Sequence, residues 1–269
     1  MLKRALTTIV GLPIVLFLVH FGGVALAIFC GAIAIFGLRE LYHAISGGYK
    51  PIHLVGYAFT GIYIALIYVF GLGSEAFLLL VLFMVVVQSC LVIFFNKLEL
   101  KDCLAVVYGA MYVPLLLAFL ILVRQHGYGN FYIWIVFASA FGCDTFAYLV
   151  GVTMGKYKLK NSPSPIKSVE GLFGGILGAA AVGFLYGFFV VQFSSQFEGM
   201  QFIIHATVFS AIGAVFCIFG DMAASAIKRN TKIKDFGNVF PGHGGFMDRI
   251  DSLLFVAPAI YVMMWLVIR

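Results

Sequence analysis

Residues 221–251 read DMAASAIKRNTKIKDFGNVFPGHGGFMDRID, the longest polar interruption in an otherwise apolar chain. The segment holds four of the six Asp residues (Asp221, Asp235, Asp248 and Asp251) and five of the 17 Lys and Arg residues. Charge this dense is costly beside a bilayer. Carboxylate oxygens suit a hard divalent cation, and basic groups near a glycine-rich turn suit phosphates. The segment therefore reads as a centre for metal-assisted phosphoryl or nucleotidyl transfer at a membrane surface, and the rest of the chain as the membrane part that carries it.

The remainder supports that division. The 269 residues are 63% hydrophobic and 10% charged, with a mean hydropathy of +1.08. A soluble domain lacks the interior to bury so much apolar surface, so the excess must face lipid. Apolar runs of about 20 residues imply helices rather than the short alternating segments of a membrane β-barrel. The fold class is all-α, a polytopic helical membrane protein with about nine transmembrane helices. The first run follows Lys3 and Arg4 and lacks a small-residue cleavage site before mature polar sequence, so it reads as a retained span. The others are expected near 24–42, 53–70, 75–95, 103–123, 130–151, 171–193, 201–221 and 252–268, with Pro258 able to kink the last.

Alternate loops then differ sharply in basic residues. With the N-terminus cytoplasmic, 15 of the 17 Lys and Arg residues lie on the inner side, and only Arg124 and Arg269 lie outside. This is the asymmetry of the positive-inside rule. It places loops 152–170 and 222–251 in the cytoplasm, where soluble nucleotides are. Residues 1–129 form an N-terminal membrane part of about five spans, and 130–269 the catalytic part with both loops. The formal charge of +6 is too small and too dispersed for nucleic-acid binding. The five Cys show no CxxC spacing and read as buried apolar residues, neither a zinc site nor a disulfide framework.

Within the polar segments, Asp144 lies at membrane depth in FASAFGCDTFAYLVG, so it must be paired, protonated or bound to a cation. Asp221 closes an equally apolar run. If helix continues to Lys232, Ser225, Lys228 and Lys232 follow Asp221 on one face. The glycines of KDFGNVFPGHGG, with Pro241, make a loop whose backbone N–H groups can meet an anion. Helix from Phe246 onward puts Asp248 and Asp251 on one face with Arg249 directed elsewhere. An acidic pair at a helix start would repel phosphate unless a cation intervened. His243 is a candidate phosphate donor or acid. The other loop, GKYKLKNSPSPIKSVEG, suggests a shaped turn at Ser164, Lys167 and Ser168. Its Lys156, Lys158 and Lys160 equally suit anionic lipid. No Walker A sequence occurs.

The run SAIKRNTKIKDFGNVFPGHGGFMDRID (225–251) resembles the signature of phosphatidate cytidylyltransferases, the CDP-diacylglycerol synthases. The matching positions are Ser225, Lys228, Arg229, Lys234, Asp235, Gly237, Pro241, His243, Gly244, Gly245, Asp248, Arg249 and Asp251. Upstream, CDTFAYLVG, GKYKL and SPIKSVEG are similar to further family segments, with Ser168 where Thr is usual. The resemblance covers about 140–251; the N-terminal spans match only in hydrophobicity. It implies the reaction of CTP with phosphatidate to give CDP-diacylglycerol and pyrophosphate, in an Mg²⁺-dependent enzyme that also uses a monovalent cation such as K⁺. It implies a multi-pass homodimer in the inner (cytoplasmic) membrane with its active site toward the cytoplasm. On this basis Mg²⁺ is assigned to Asp221 and Asp248, with Asp144 and Asp251 supporting it or holding the second cation. Lys228, Arg229 and Lys234 are assigned to phosphates. Ser164, Lys167 and Ser168 border the cleft, and Ser225, Gly244, Gly245 and Arg249 complete the substrate-binding set. A transporter with coupling carboxylates remains the alternative class. A CDP-alcohol phosphotransferase would need an Asp-Gly-x-x-Ala-Arg motif that is absent.

Overall fold

The computed structural model describes residues 2–194, 199–239 and 244–268, without the side chains of residues 2–10 and 12. The helices are α1 (Leu2–Phe21), α2 (Gly23–Ser46), α3 (His53–Phe70), α4 (Ser74–Ile93), α5 (Leu100–Tyr112), α6 (Pro114–Leu117), α7 (Phe119–Gln125), α8 (Gly129–Thr153), α9 (Val169–Phe193), α10 (Gly199–Asn230) and α11 (Met247–Val267). Among the described residues there is no strand, only an isolated antiparallel bridge between Lys158 and Ser168. Eight segments are long and apolar enough to cross a membrane, counting Leu100–Gln125 as one. With the 20-residue α1, this agrees with the all-helical, many-span expectation.

Three boundaries differ from the sequence reading. The expected span 103–123 is broken at Val113 and Ala118 into α5, α6 and α7. Pro114 opens α6, where its missing N–H costs least, but it cannot continue the ladder of α5. Pro258, by contrast, lies inside an α11 that runs unbroken from Met247, five residues before the expected start of the last span. The third difference is α10. It carries helix nine residues beyond the expected end of the span and stops at Asn230, leaving Lys232 in a left-handed conformation (φ 57°) outside it.

The chain divides into two compact units, residues 1–126 with 230–250, and residues 127–229 with 251–269. In the first, α2 packs against α1, α3, α5, α6 and α7. Its buried face comprises Leu26, Ala27, Cys30, Ala34, Gly37, Leu38 and Leu41, recurring every three or four residues. The small members let neighbouring backbones approach, which is how helices associate where lipid removes the hydrophobic drive. Tyr42 is fully buried, with its hydroxyl donating to the Val106 carbonyl (3.2 Å) and its ring stacked on His53 at 4.5 Å. It fits because Gly56 of α3 and Gly109 of α5 leave its ring the space that a Cβ would take. A capping box between Glu99 and Asp102 starts α5.

In the second unit, α8 and α9 form the most extensive helix pair. Gly171, Gly174, Gly175 and Gly178 line the contact. A Cβ on Gly175 would lie 3.0 Å from the Cys143 carbonyl oxygen, and one on Gly171 would lie 2.9 Å from that of Ala147. The α9 glycines thus set the distance at which α8 holds Asp144. On the α10 side, Cys143 donates to the Ala214 carbonyl (3.6 Å) and Cys217 to that of Ala140 (3.8 Å), weak bonds that fix α8 against α10.

Candidate active site

In the second unit, three helices and one loop bring charged groups together. Asp144 projects from α8, Asp221 from α10 and Asp251 from α11, while Lys167 ends the loop between α8 and α9. Lys167 forms an ion pair with Asp221, the two side chains being 26% and 28% exposed. Burial would lower the Lys167 pKa, but Asp221, with help from Asp144, outweighs it and holds the ammonium above the ordinary lysine value. Asp144 accepts a hydrogen bond from the Cys217 thiol (3.5 Å). Asp251 is 8% exposed, accepts from the Ser252 N–H (2.8 Å), and lies within electrostatic reach of Asp221, Asp144 and Lys228. Gly220 lets α10 approach: a Cβ there would lie 2.6 Å from the Asp251 carbonyl oxygen. When all are ionised, three carboxylates face two ammonium groups, leaving excess negative charge.

The loop is shaped by its own backbone. Leu159 N–H donates to the Lys167 carbonyl (3.0 Å), Val169 N–H to Tyr157 (2.9 Å) and Lys167 N–H to Ser164 (3.2 Å). Ser168 is buried and caps α9, its hydroxyl accepting from the Gly171 N–H (3.2 Å). Its described contact is therefore with helix rather than solvent. Arg229, at the end of α10, donates to the Pro163 carbonyl (3.4 Å), tying the helix to the loop. Ser225 and Lys228 follow Asp221 on the same helical face as expected; Lys232 lies beyond the helix end and is not on that face.

The first unit holds the other half of the signature. One Asp248 oxygen accepts both the Phe236 N–H (2.9 Å) and the Gly245 N–H (3.0 Å), closing the loop onto the first turn of α11. A carboxylate there also suits the positive helix end. Gly244 has φ +81°, and a Cβ would come 2.7 Å from the Asp248 carboxylate, so only glycine fits. Gly237 and Gly245 both pack on Glu40. Glu40, 8% exposed on α2, accepts the Phe246 N–H (3.1 Å) and the Met247 N–H (2.9 Å), one on each oxygen. These are N–H groups that a helix start leaves without intrahelical partners. The sequence reading missed Glu40. The only signal was a carboxylate within an apolar run beside Arg39, which resembles any interfacial helix end. Lys234 and Arg249 are exposed; His243, with Pro241 and Gly242, lies outside the described residues.

Among the described residues, no three His, Cys, Asp or Glu side chains converge closely enough to coordinate a metal ion. The donor chemistry still suits a hard cation, since Asp144, Asp221 and Asp251 offer only carboxylate oxygens. Lys167 already places positive charge beside Asp221 and within reach of Asp144, as a cation there would.

A polytopic helical membrane protein whose second unit gathers carboxylates and lysines is the class that the fold and site define. Residues 2–267 match the model of the cytidylyltransferase family, and the chain belongs to that family. Among its relatives are proteins named phosphatidate cytidylyltransferase. That of Thermotoga maritima is 38% identical over 165 residues, 60% of this chain and 59% of the relative. That of Staphylococcus epidermidis is 30% identical over 271 residues, 97% of this chain and 98% of the relative. A Staphylococcus aureus protein is 29% identical over 274 residues, with the same coverage. The family resemblance seen in the signature thus extends across the N-terminal helices.

Proposed function

We propose that the chain transfers the cytidylyl group of CTP to phosphatidate, giving CDP-diacylglycerol and pyrophosphate. The observation that carries this reading is the meeting of Asp144, Asp221 and Asp251 with Lys167 and Lys228, in a chain of the cytidylyltransferase family. A phosphatidate oxygen attacks the α-phosphorus of CTP, forming a new P–O bond as the bond to the β-phosphate oxygen breaks and pyrophosphate leaves. Such displacements depend on positioning and charge neutralisation more than on covalent help. Asp144, Asp221 and Asp251, which share one unit, would hold Mg²⁺, and K⁺ is proposed as a second cation there. Bound Mg²⁺ would offset the charge of the phosphates.

The chain's own residues do the rest. Lys167, kept protonated by Asp221, presents a fixed ammonium to a phosphate oxygen. Lys228 and Arg229 extend the positive surface along α10, and the Arg229 bond to Pro163 holds the loop carrying Lys167. Asp248 and Glu40 hold the signature loop in shape. The basic residues of alternate loops favour a cytoplasmic N-terminus and an active site facing the cytoplasm, and the family resemblance adds the inner membrane and a homodimer to the proposal. The test is label transfer: with CTP labelled at its α-phosphorus, the label should enter the lipid product, and with γ-label it should leave as pyrophosphate. Retention of both labels in water-soluble nucleotide would refute the proposal.

A further inference from the structure

The first unit contains a cavity of about 740 Å³, within the size range of ligand pockets. One wall is a strip of α2 in which Ile35, Arg39 and His43 succeed one another at single-turn steps, with Phe36 beside them. The opposite wall belongs to the signature segment, through Phe236, Gly237, Val239 and Phe246. Phe36 and Phe246 stack directly on one another at 4.9 Å, joining the two walls. The 24 residues of α2 span about 36 Å, more than the roughly 30 Å of hydrocarbon in a bilayer. With Gly23 at one edge of the hydrocarbon, His43 in the last turn reaches the opposite headgroups, Arg39 lies one turn below it with a side chain long enough to snorkel there, and Ile35 and Phe36 lie deeper. Tyr49 and Tyr57, also on the cavity wall, are the ring type found at that interface.

The charges of the cavity are unevenly committed. Both oxygens of Glu40 accept backbone N–H groups. His53 accepts the Lys50 N–H at Nδ1 (3.2 Å) and lies 3.3 Å from the Ser46 hydroxyl through Nε2, so both its ring nitrogens are engaged. Arg39 and His43, both exposed, form no hydrogen bond or ion pair among the described residues. An apolar floor at acyl depth, with a guanidinium in electrostatic reach of Glu40 and Tyr57 but without a hydrogen bond among the described residues, and an imidazole likewise without one, suits an amphiphile carrying an anionic head.

We propose that this cavity seats a phosphate-bearing membrane lipid, its phosphate on Arg39 and His43 and the upper part of its acyl chains on Ile35 and Phe36. A guanidinium matches phosphate oxygens in a bidentate fork. The proposal rests on the cytidylyltransferase reading only for the identity of the lipid, phosphatidate. That lipid would then lie directly against the loop closed by Asp248.

Phosphate also occurs in CTP, so the test must separate the two sources. A photoactivatable phosphatidate is added to the purified full-length protein in detergent micelles, without CTP, and the labelled peptides are mapped. Label is expected in residues 35–43, 236–239 and 244–246, competed by phosphatidate but not by diacylglycerol or CTP. Arg39→Gln should reduce it at least about tenfold, the cost of a charge-assisted contact, with Arg39→Lys recovering part. In turnover, Arg39→Gln should raise KM for phosphatidate and leave KM for CTP unchanged. Should Arg39→Gln fail to fold, His43→Gln supplies the same comparison. Labelling competed by CTP, or equally by diacylglycerol, or indifferent to both substitutions, would overturn the assignment. The labelling needs no catalysis: specific lipid capture without pyrophosphate release would refute the enzymatic reading and leave the lipid site standing.

Discussion

Replacing Asp221 with Asn keeps its shape but removes the charge that pairs with Lys167. Turnover should fall by about 100-fold or more, the usual scale for losing one electrostatic group in a water-poor site, while membrane insertion is unchanged. CTP-dependent product formation by the purified variant checks this; near-normal rates at saturating Mg²⁺ would contradict it. Lys167 makes a second prediction. Its folded pKa lies above the ordinary lysine value of 10.5, so protonation favours the folded protein. The contribution is fully present below about 10.5 and is lost as pH rises through the folded value. The stability difference between wild type and Lys167→Met should therefore be flat from neutral pH to about pH 10 and shrink only above it, as thermal melts across pH would record. Glu40 gives a third. Glu40→Ala deprives two N–H groups of their acceptor and should cost about 1.5–3 kcal/mol per charged bond lost, Glu40→Gln less, as read by denaturant midpoints. At this scale the acidic and basic residues of the signature were legible, because charge in an apolar chain marks itself. Glu40 was not: its partners Phe246 and Met247 lie more than 200 residues away, and no local pattern announces that pairing.

The α8–α9 pair shows what fixes the helices that carry the site. Gly175→Leu would place a side chain where the Cys143 carbonyl and sulfur and the Ala147 methyl leave about 3 Å to a Cβ. The expected result is a loss of about 1–3 kcal/mol or more and a lower Tm in detergent, with turnover falling as Asp144 is displaced. An unchanged Tm would show that the pair is looser than its glycines imply. Most spans were legible from hydropathy, since a bilayer demands long apolar helices. Their ends were less so. The apolar run ends at Asp221, yet α10 continues through Lys228 and Arg229 because a helix leaving the bilayer need not stop at its surface; helical spacing allowed that continuation but did not give its end at Asn230. Pro258 and Pro114 show the same limit: one lies inside an unbroken helix and the other at a break, so a proline alone does not tell where a membrane helix ends.

For the whole molecule, hydropathy decided the class and the signature decided the family, two independent readings of one sequence. What hydropathy could not give was the division into units. Residues 230–250 belong with the N-terminal helices, held there in part by bonds from Glu40. Such a partition depends on contacts between distant segments, which periodicity does not encode. The account as a whole holds that a cation and fixed lysines let two polyanions, one dissolved and one in lipid, react. It is tested most directly by measuring pyrophosphate released from CTP by the purified protein as phosphatidate and Mg²⁺ are supplied singly and together. Release only when both are present, matched by an equal amount of CDP-diacylglycerol, is the predicted result. Release that ignores phosphatidate, or none with both supplied to folded protein, would contradict it.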